Sequence, residues 1–234
     1  MFRHVLVRAS EHPPLAQGQA WPGLLSPREE EIFTRLAFLP RRRKWLLGRV
    51  AAKQLVMQML GMADVPATRL SVLNRPSGEP FVLVTGQGEW PYAISLSHRG
   101  EAGLAAAPET CGQRIGADLE TVEPRDPALV RQFFTDAEAV LVATSGESCD
   151  EVVARIWSAK EAVLKLLGLG LRLDTRAIEV RLKGAPCAGC PAGFAPIDVR
   201  LFSDQIPAPL PEPPQVVWRR EGGFVLTVAC SGAR

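Results

Sequence analysis

The chain has 234 residues, 47% of them hydrophobic and 22% charged, with a net charge of +2. That composition buries a sizeable core, so wholesale disorder is excluded, and the length suits one large domain or two small ones. The small charge excess lacks the footprint of a nucleic-acid binder, and no run approaches the roughly 20 apolar residues of a membrane span. His4, His12 and His98 are the only histidines, which argues against a His-rich zinc enzyme. The five cysteines, at 111, 149, 187, 190 and 230, are too sparse and odd in number for a disulfide framework. They point to a reducing cytoplasm. Met1 to Ser10 carries Arg3, His4 and Arg8 within its apolar run and lacks the apolar region of a signal peptide. The expected location is therefore cytoplasmic.

In chain order, alternation around Val5 and Val7 marks a first strand. Ser26-Pro27-Arg28-Glu29 reads as a capped helix start, with Pro27 at the first helical position and Glu29 closing a capping box. That helix is expected to reach Phe38, with Pro40 ending it. A second helix is expected over 42–60, closed by Gly61. Short strands follow at 70–73, 80–84, 92–97 and 102–107, and Arg75-Pro76-Ser77-Gly78 supplies turn chemistry.

The second half opens with a strand over 114–120. Asp126-Pro127 and Thr135-Asp136-Ala137-Glu138 look like helix starts, and the clearest helix spans 150–167 before Gly168. Strands recur near 177–182, 198–202, 215–219 and 224–229. Residues 184–196 are rich in Gly, Ala and Pro, and the five prolines of 206–214 predict a stiff, extended connector. The chain reads as α+β, in two similar halves over 1–109 and 110–234.

Four constellations carry chemistry. On the strand Ile115–Glu120, Asp118 and Glu120 are two residues apart and share a face. Adjacent carboxylates repel unless a cation or proton intervenes, and their oxygens suit Mg²⁺. A solvated acidic strand end reads the same way. In Trp157-Ser158-Ala159-Lys160-Glu161, followed by Lys165, the residues Trp157, Glu161 and Lys165 share a helical face. Glu161 is a candidate third carboxylate or base, and Lys165 a candidate for a phosphate leaving group. An ordinary surface Glu–Lys pair and a core tryptophan fit as well.

In Ile94-Ser95-Leu96-Ser97-His98, alternation buries Ile94 and Leu96 and presents Ser95 and Ser97, with His98 at the strand end. His98 suits a phosphate, or a purely structural place. Residues 41–53 hold six basic and no acidic side chains. Arg42, Arg49 and Lys53 fall on one side of the helix, a stripe that grips a polyphosphate or simply faces solvent. The sequence contains no G-x-x-x-x-G-K-[ST], H-E-x-x-H or G-x-S-x-G element, and Cys187-Ala188-Gly189-Cys190 lacks a second ligand pair.

Taken together, these motifs resemble the 4′-phosphopantetheinyl transferase family, of the larger type that activates surfactin-like synthetases. Its Gly-x-Asp-x-Glu signature matches Gly116-Ala117-Asp118-Leu119-Glu120. Its Trp/Phe-Ser-x-Lys-Glu-x-x-x-Lys signature matches Trp157 to Lys165. Ser95-Leu96-Ser97-His98 is similar to its Ser-x-Ser-His element, the helix around Gly48-Arg49 to its basic helix, and Phe133 to Glu138 to the segment between its signatures. The likeness covers residues 40–182.

The resemblance implies a pseudo-twofold pair of α+β halves with the active site in the cleft between them. It implies transfer of the phosphopantetheine arm of coenzyme A to a serine of an apo acyl or peptidyl carrier protein, leaving adenosine 3′,5′-bisphosphate. By resemblance, Asp118, Glu120 and Glu161 hold Mg²⁺, Glu161 and Lys165 act in the chemistry, and Arg42, Arg49, Ser97, His98 and Lys165 bind the coenzyme. A monomer without nucleic-acid or membrane partners is expected. One departure stands out. The family's Gly-Lys-Pro turn is here Gly78-Glu79-Pro80, and Arg75 or Arg99 is the expected substitute for the missing cation. A Mg²⁺-dependent nuclease and a non-catalytic carrier-binding module are the competing readings.

Overall fold

The computed structural model describes residues 1–61, 65–182, 191–202, 205, 206, 210 and 212–232. Cys187 and Cys190 lie outside the described residues, as does much of the Pro-rich segment. The fold is α+β, in two units, Phe2–Gly112 and Gln113–Arg234.

The N-terminal unit runs β1 (Phe2–Arg8), α1 (Pro13–Ala16), α2 (Pro27–Thr34), α3 (Leu39–Leu60), β2 (Leu70–Asn74), β3 (Pro80–Val84), β4 (Gly88–Glu89), β5 (Ser95–Arg99) and β6 (Ala102–Pro108). Two antiparallel sheets form, in the orders β1-β6-β5 and β2-β3-β4. Helix α3 supplies the core, with Leu46, Leu47, Val50, Ala51 and Leu55 almost fully buried. Each such aliphatic side chain contributes about 1.5–3 kcal/mol by leaving water. Gly61 ends α3 in the left-handed conformation, φ +65°, which an L side chain resists.

Two expectations shift here. The helix begun at Ser26 stops at Thr34, and Pro40 does not end it. Pro40 lies in the first turn of α3, where its missing N–H and fixed φ cost nothing. Ser95 and Ser97 are not presented to solvent. They are 5% and 8% exposed, while Leu96 between them is only half-buried, so the serines occupy the covered side of β5.

The C-terminal unit runs β7 (Ile115–Thr121), α4 (Pro127–Phe133), α5 (Asp136–Thr144), α6 (Cys149–Leu167), β8 (Ile178–Leu182), β9 (Ala195–Leu201), β10 (Gln215–Glu221) and β11 (Phe224–Cys230). One antiparallel sheet has the order β7-β11-β10-β9-β8. Helix α6 packs on it through Val152, Ile156, Ala159, Ala162 and Val163, all buried.

One polar arrangement recurs in both units. In the first, Ser26 and Glu29 make a reciprocal capping box at the start of α2. The Glu29 carboxylate also accepts from Val72 N (3.0 Å) and pairs with Lys53 Nζ (2.5 Å). Lys53 donates further to the carbonyls of Leu24 and Ala67. In the second unit, Thr135 and Glu138 cap α5, Glu138 accepts from Val180 N (2.7 Å), and Lys160 Nζ pairs with Glu138 (2.9 Å). Lys160 donates to the carbonyls of Thr175 and Ile178. Each buried ammonium thus has three acceptors for its three protons, which is what makes a charge tolerable in a core. Burial pulls both lysine pKa values below the ordinary range, and the paired glutamate opposes the shift.

Candidate active site

The sequence-predicted residues fall into two groups, one in each unit. In the C-terminal unit, β7 presents Gly116, Asp118 and Glu120 on the face covered by α6. Gly116 lets the helix sit against the strand. A Cβ there would overlap Ala162 O and stand 2.5 Å from Leu166 N. The glycine of the Gly-x-Asp-x-Glu element therefore fixes the depth at which α6 lies, and so the distance from Lys165 to the strand.

Lys165 Nζ reaches across to donate to Asp118 Oδ1 (2.7 Å) and Ala117 O (3.0 Å). Asp118 and Glu120 are buried, at 4% and 7% exposure, and Glu161 is half-buried. Burial raises the Glu161 carboxyl above the usual range, Asp118 and Glu120 raise it further, and Lys165 opposes them. Arg125, which motif reasoning missed, donates to Glu120 Oε2 (2.6 Å) and to Thr121 O. It stands in the irregular segment after β7 and folds back onto that strand.

Among the described residues, no three His, Cys, Asp or Glu side chains form a ready metal-ligating group. Lys165 and Arg125 supply counter-charge to Asp118 and Glu120 in this arrangement. The donor type, carboxylate oxygen, is the one that hard divalent cations take. Asp118 and Glu120 each disfavour the charge on Glu161, a repulsion that a bound cation would relieve.

Two other residues of the Trp157–Lys165 element make structural contacts. Lys160 is fully buried, and its three protons go to Glu138 and the carbonyls of Thr175 and Ile178. Trp157 packs edge-on against Phe133, with ring centroids 5.3 Å apart.

In the N-terminal unit, a cleft of about 440 Å³ opens beside α3. Its lining includes Arg41, Lys44, Trp45, Arg49, Ser97 and His98. Arg49 is 7% exposed, and its guanidinium lies 4.2 Å from the Trp45 ring centroid. Burial lowers the Arg49 pKa to about 10, with Glu29 opposing the shift.

The basic stripe does not survive as one surface. Arg42 stacks on Phe33 (4.4 Å) and is not among the cleft residues, while Lys53 is 2% exposed and committed to Glu29. The helical spacing was right, but α2 covers part of the expected face. Arg75 pairs with Glu79 and Glu89 and lies over Phe81. Neither Arg75, Glu79 nor Arg99 lines the cleft. Cys111, Cys149 and Cys230 are free thiols, and no helix among the described residues is long and apolar enough to cross a membrane.

Comparison with known proteins bears on both groups. Residues 114–227 match the 4′-phosphopantetheinyl transferase superfamily model. The chain is 27% identical over 172 residues to the 4′-phosphopantetheinyl transferase psf-1 of Bacillus pumilus, across 72% of this chain and 70% of that one. It is 22% identical over 166 residues to the L-aminoadipate-semialdehyde dehydrogenase-phosphopantetheinyl transferase of Xenopus laevis, across 66% of this chain and 53% of the relative. It therefore spans about half the length of that vertebrate protein. Among solved structures, a holo-(acyl-carrier-protein) synthase from Bacillus anthracis in complex with CoA (3′,5′-ADP) is similar at 18% identity and a TM-score of 0.38, over 45% of this chain and 91% of that one. The matched segment carries both Gly116 to Glu120 and Trp157 to Lys165, so the likeness to the 4′-phosphopantetheinyl transferase superfamily falls on the two motifs that the sequence singled out.

Proposed function

We propose that this chain transfers the 4′-phosphopantetheine arm of coenzyme A to a serine of an apo acyl or peptidyl carrier protein and releases adenosine 3′,5′-bisphosphate. The observation that carries the reading is the meeting of Asp118, Glu120, Glu161 and Lys165 where α6 crosses β7, inside the family-matched segment.

The nucleophile is the partner's serine, so the chain needs none of its own. The serine oxygen bonds to the β-phosphorus of the coenzyme pyrophosphate, and the bond from that phosphorus to the bridging oxygen breaks. The serine proton passes to Glu161, directly or through water. Glu161 is half-buried and shares its helical face with Lys165, a placement that suits a general base beside the leaving group. Lys165 stabilises the negative charge that develops on the departing phosphate. Asp118, Glu120 and one oxygen of Glu161 would hold Mg²⁺, which when bound supplies charge neutralisation on the pyrophosphate. Arg49, Ser97 and His98 take the coenzyme phosphates, with Arg42 as an outer contact.

Intact-mass measurement on several apo carrier domains, with coenzyme A and Mg²⁺, tests the reading. A carrier gains the mass of one phosphopantetheine, and chelation abolishes the gain. Cleavage of DNA or RNA with no carrier modified would overturn it.

A further inference from the structure

Arg49 is a nearly buried guanidinium whose charge no carboxylate among the described residues cancels by direct contact. The carboxylate that acts on it, Glu29, is paired with Lys53. Its side-chain partners are neutral. Trp45 covers it at 4.2 Å, and Asn74 Oδ1 accepts from Nη2 at 2.9 Å. Arg49 Nε is buried with no hydrogen-bond partner. The other end of the Asn74 amide is used as well, since Nδ2 donates to Gly78 O at 2.8 Å. This fixes the amide orientation, because a guanidinium only donates and a carbonyl only accepts. Arg49, Asn74 and Gly78 all line the same cleft.

We infer that Asn74 is the positioning residue of this cleft: it locks the Arg49 guanidinium in place through a neutral acceptor and leaves the charge available to a phosphate of coenzyme A. The inference rests on the proposed transferase reading and adds a residue to it. Asn74 ties the guanidinium to the turn over 75–78, and Trp45 restricts one of its faces. The anion site is therefore set before the ligand arrives, and little side-chain freedom is lost on binding. An aspartate at 74 would accept the same hydrogen bond but cancel the charge, and it would set an acceptor against Gly78 O.

The test is calorimetric titration of coenzyme A into the full chain, with steady-state transfer kinetics alongside. Asn74→Ala weakens binding about tenfold, the scale of one hydrogen bond to a charged group, and Asn74→Asp weakens it further. Both changes appear in KM for coenzyme A, with kcat kept at saturation. In an Arg49→Gln background, Asn74→Ala adds little further loss, because its effect runs through the guanidinium. Asn74 is exposed, so these variants fold, and thermal unfolding checks that they do. Tight binding by Asn74→Asp overturns the inference alone, as does the same additional loss with and without Arg49. Failure of the unaltered chain to bind coenzyme A overturns the functional reading, and the inference with it.

Discussion

Lys160 and Glu138 form an ion pair at 2.9 Å with both side chains fully shielded from water, and Lys53 and Glu29 do the same in the N-terminal unit. In each unit the glutamate is the third residue of a capped helix, the lysine comes from the long helix, and a strand N–H completes the carboxylate. The pair ties a short helix, the long helix and the β2 or β8 strand together at one point. That gives a structural role to Lys160, the lysine beside the candidate catalytic glutamate.

Breaking this pair on one side leaves an uncompensated buried charge. Glu138→Ala is expected to destabilise the chain by about 3–5 kcal/mol, the usual cost of removing one partner. Urea unfolding measures it. A variant with an unchanged midpoint would contradict the assigned role.

Gly116→Ala pushes a methyl group into the backbone of α6, which has no flexible end to move aside. Overpacking of this kind costs about 1–3 kcal/mol, and the helix must lift from β7. Lys165 then loses its reach to Asp118, so transfer falls along with thermal stability. A fully active, equally stable variant would show that the helix does not lie so close.

Asp118→Ala removes a candidate metal ligand while leaving Lys165 its bond to Ala117 O. The chain stays folded, and transfer drops by a factor on the order of a hundred or more. Mass spectrometry of the carrier reads the loss, and circular dichroism reads the fold. Activity retained at saturating Mg²⁺ would sink the metal-site assignment.

Lys165→Ala tests the leaving-group role. Loss of a donor that acts on developing charge lowers kcat, by about a hundredfold or more, with a smaller change in KM. An effect confined to KM would mean that Lys165 binds the coenzyme without assisting its departure.

Much of the fold was readable because local signals are short-range. Ser26 with Glu29, and Thr135 with Glu138, announced two helix starts through the capping-box spacing, and both boxes form. Gly61 and Gly168 marked the ends of the two long helices, and both adopt left-handed backbone there. Pro40 was misread, because a proline that can end one helix can equally open the next. Asp118 and Glu120 were placed on one strand face by their spacing alone.

What opposes a face is a different kind of information. The sequence by itself determined which residues share a side of α3: Arg42, Arg49 and Lys53 do recur at helical spacing. Only the tertiary structure decided their separate fates, stacking Arg42 on Phe33, turning Arg49 into the cleft and burying Lys53 against Glu29. The same division holds for α6, where spacing put Glu161 and Lys165 together but not Lys160 on Glu138. The periodicity of a helix or strand is a property of its own backbone. The partner of a charge is set by segments far away in the chain, and the cost of burying a charge unpaired allows only folds in which such a partner arrives.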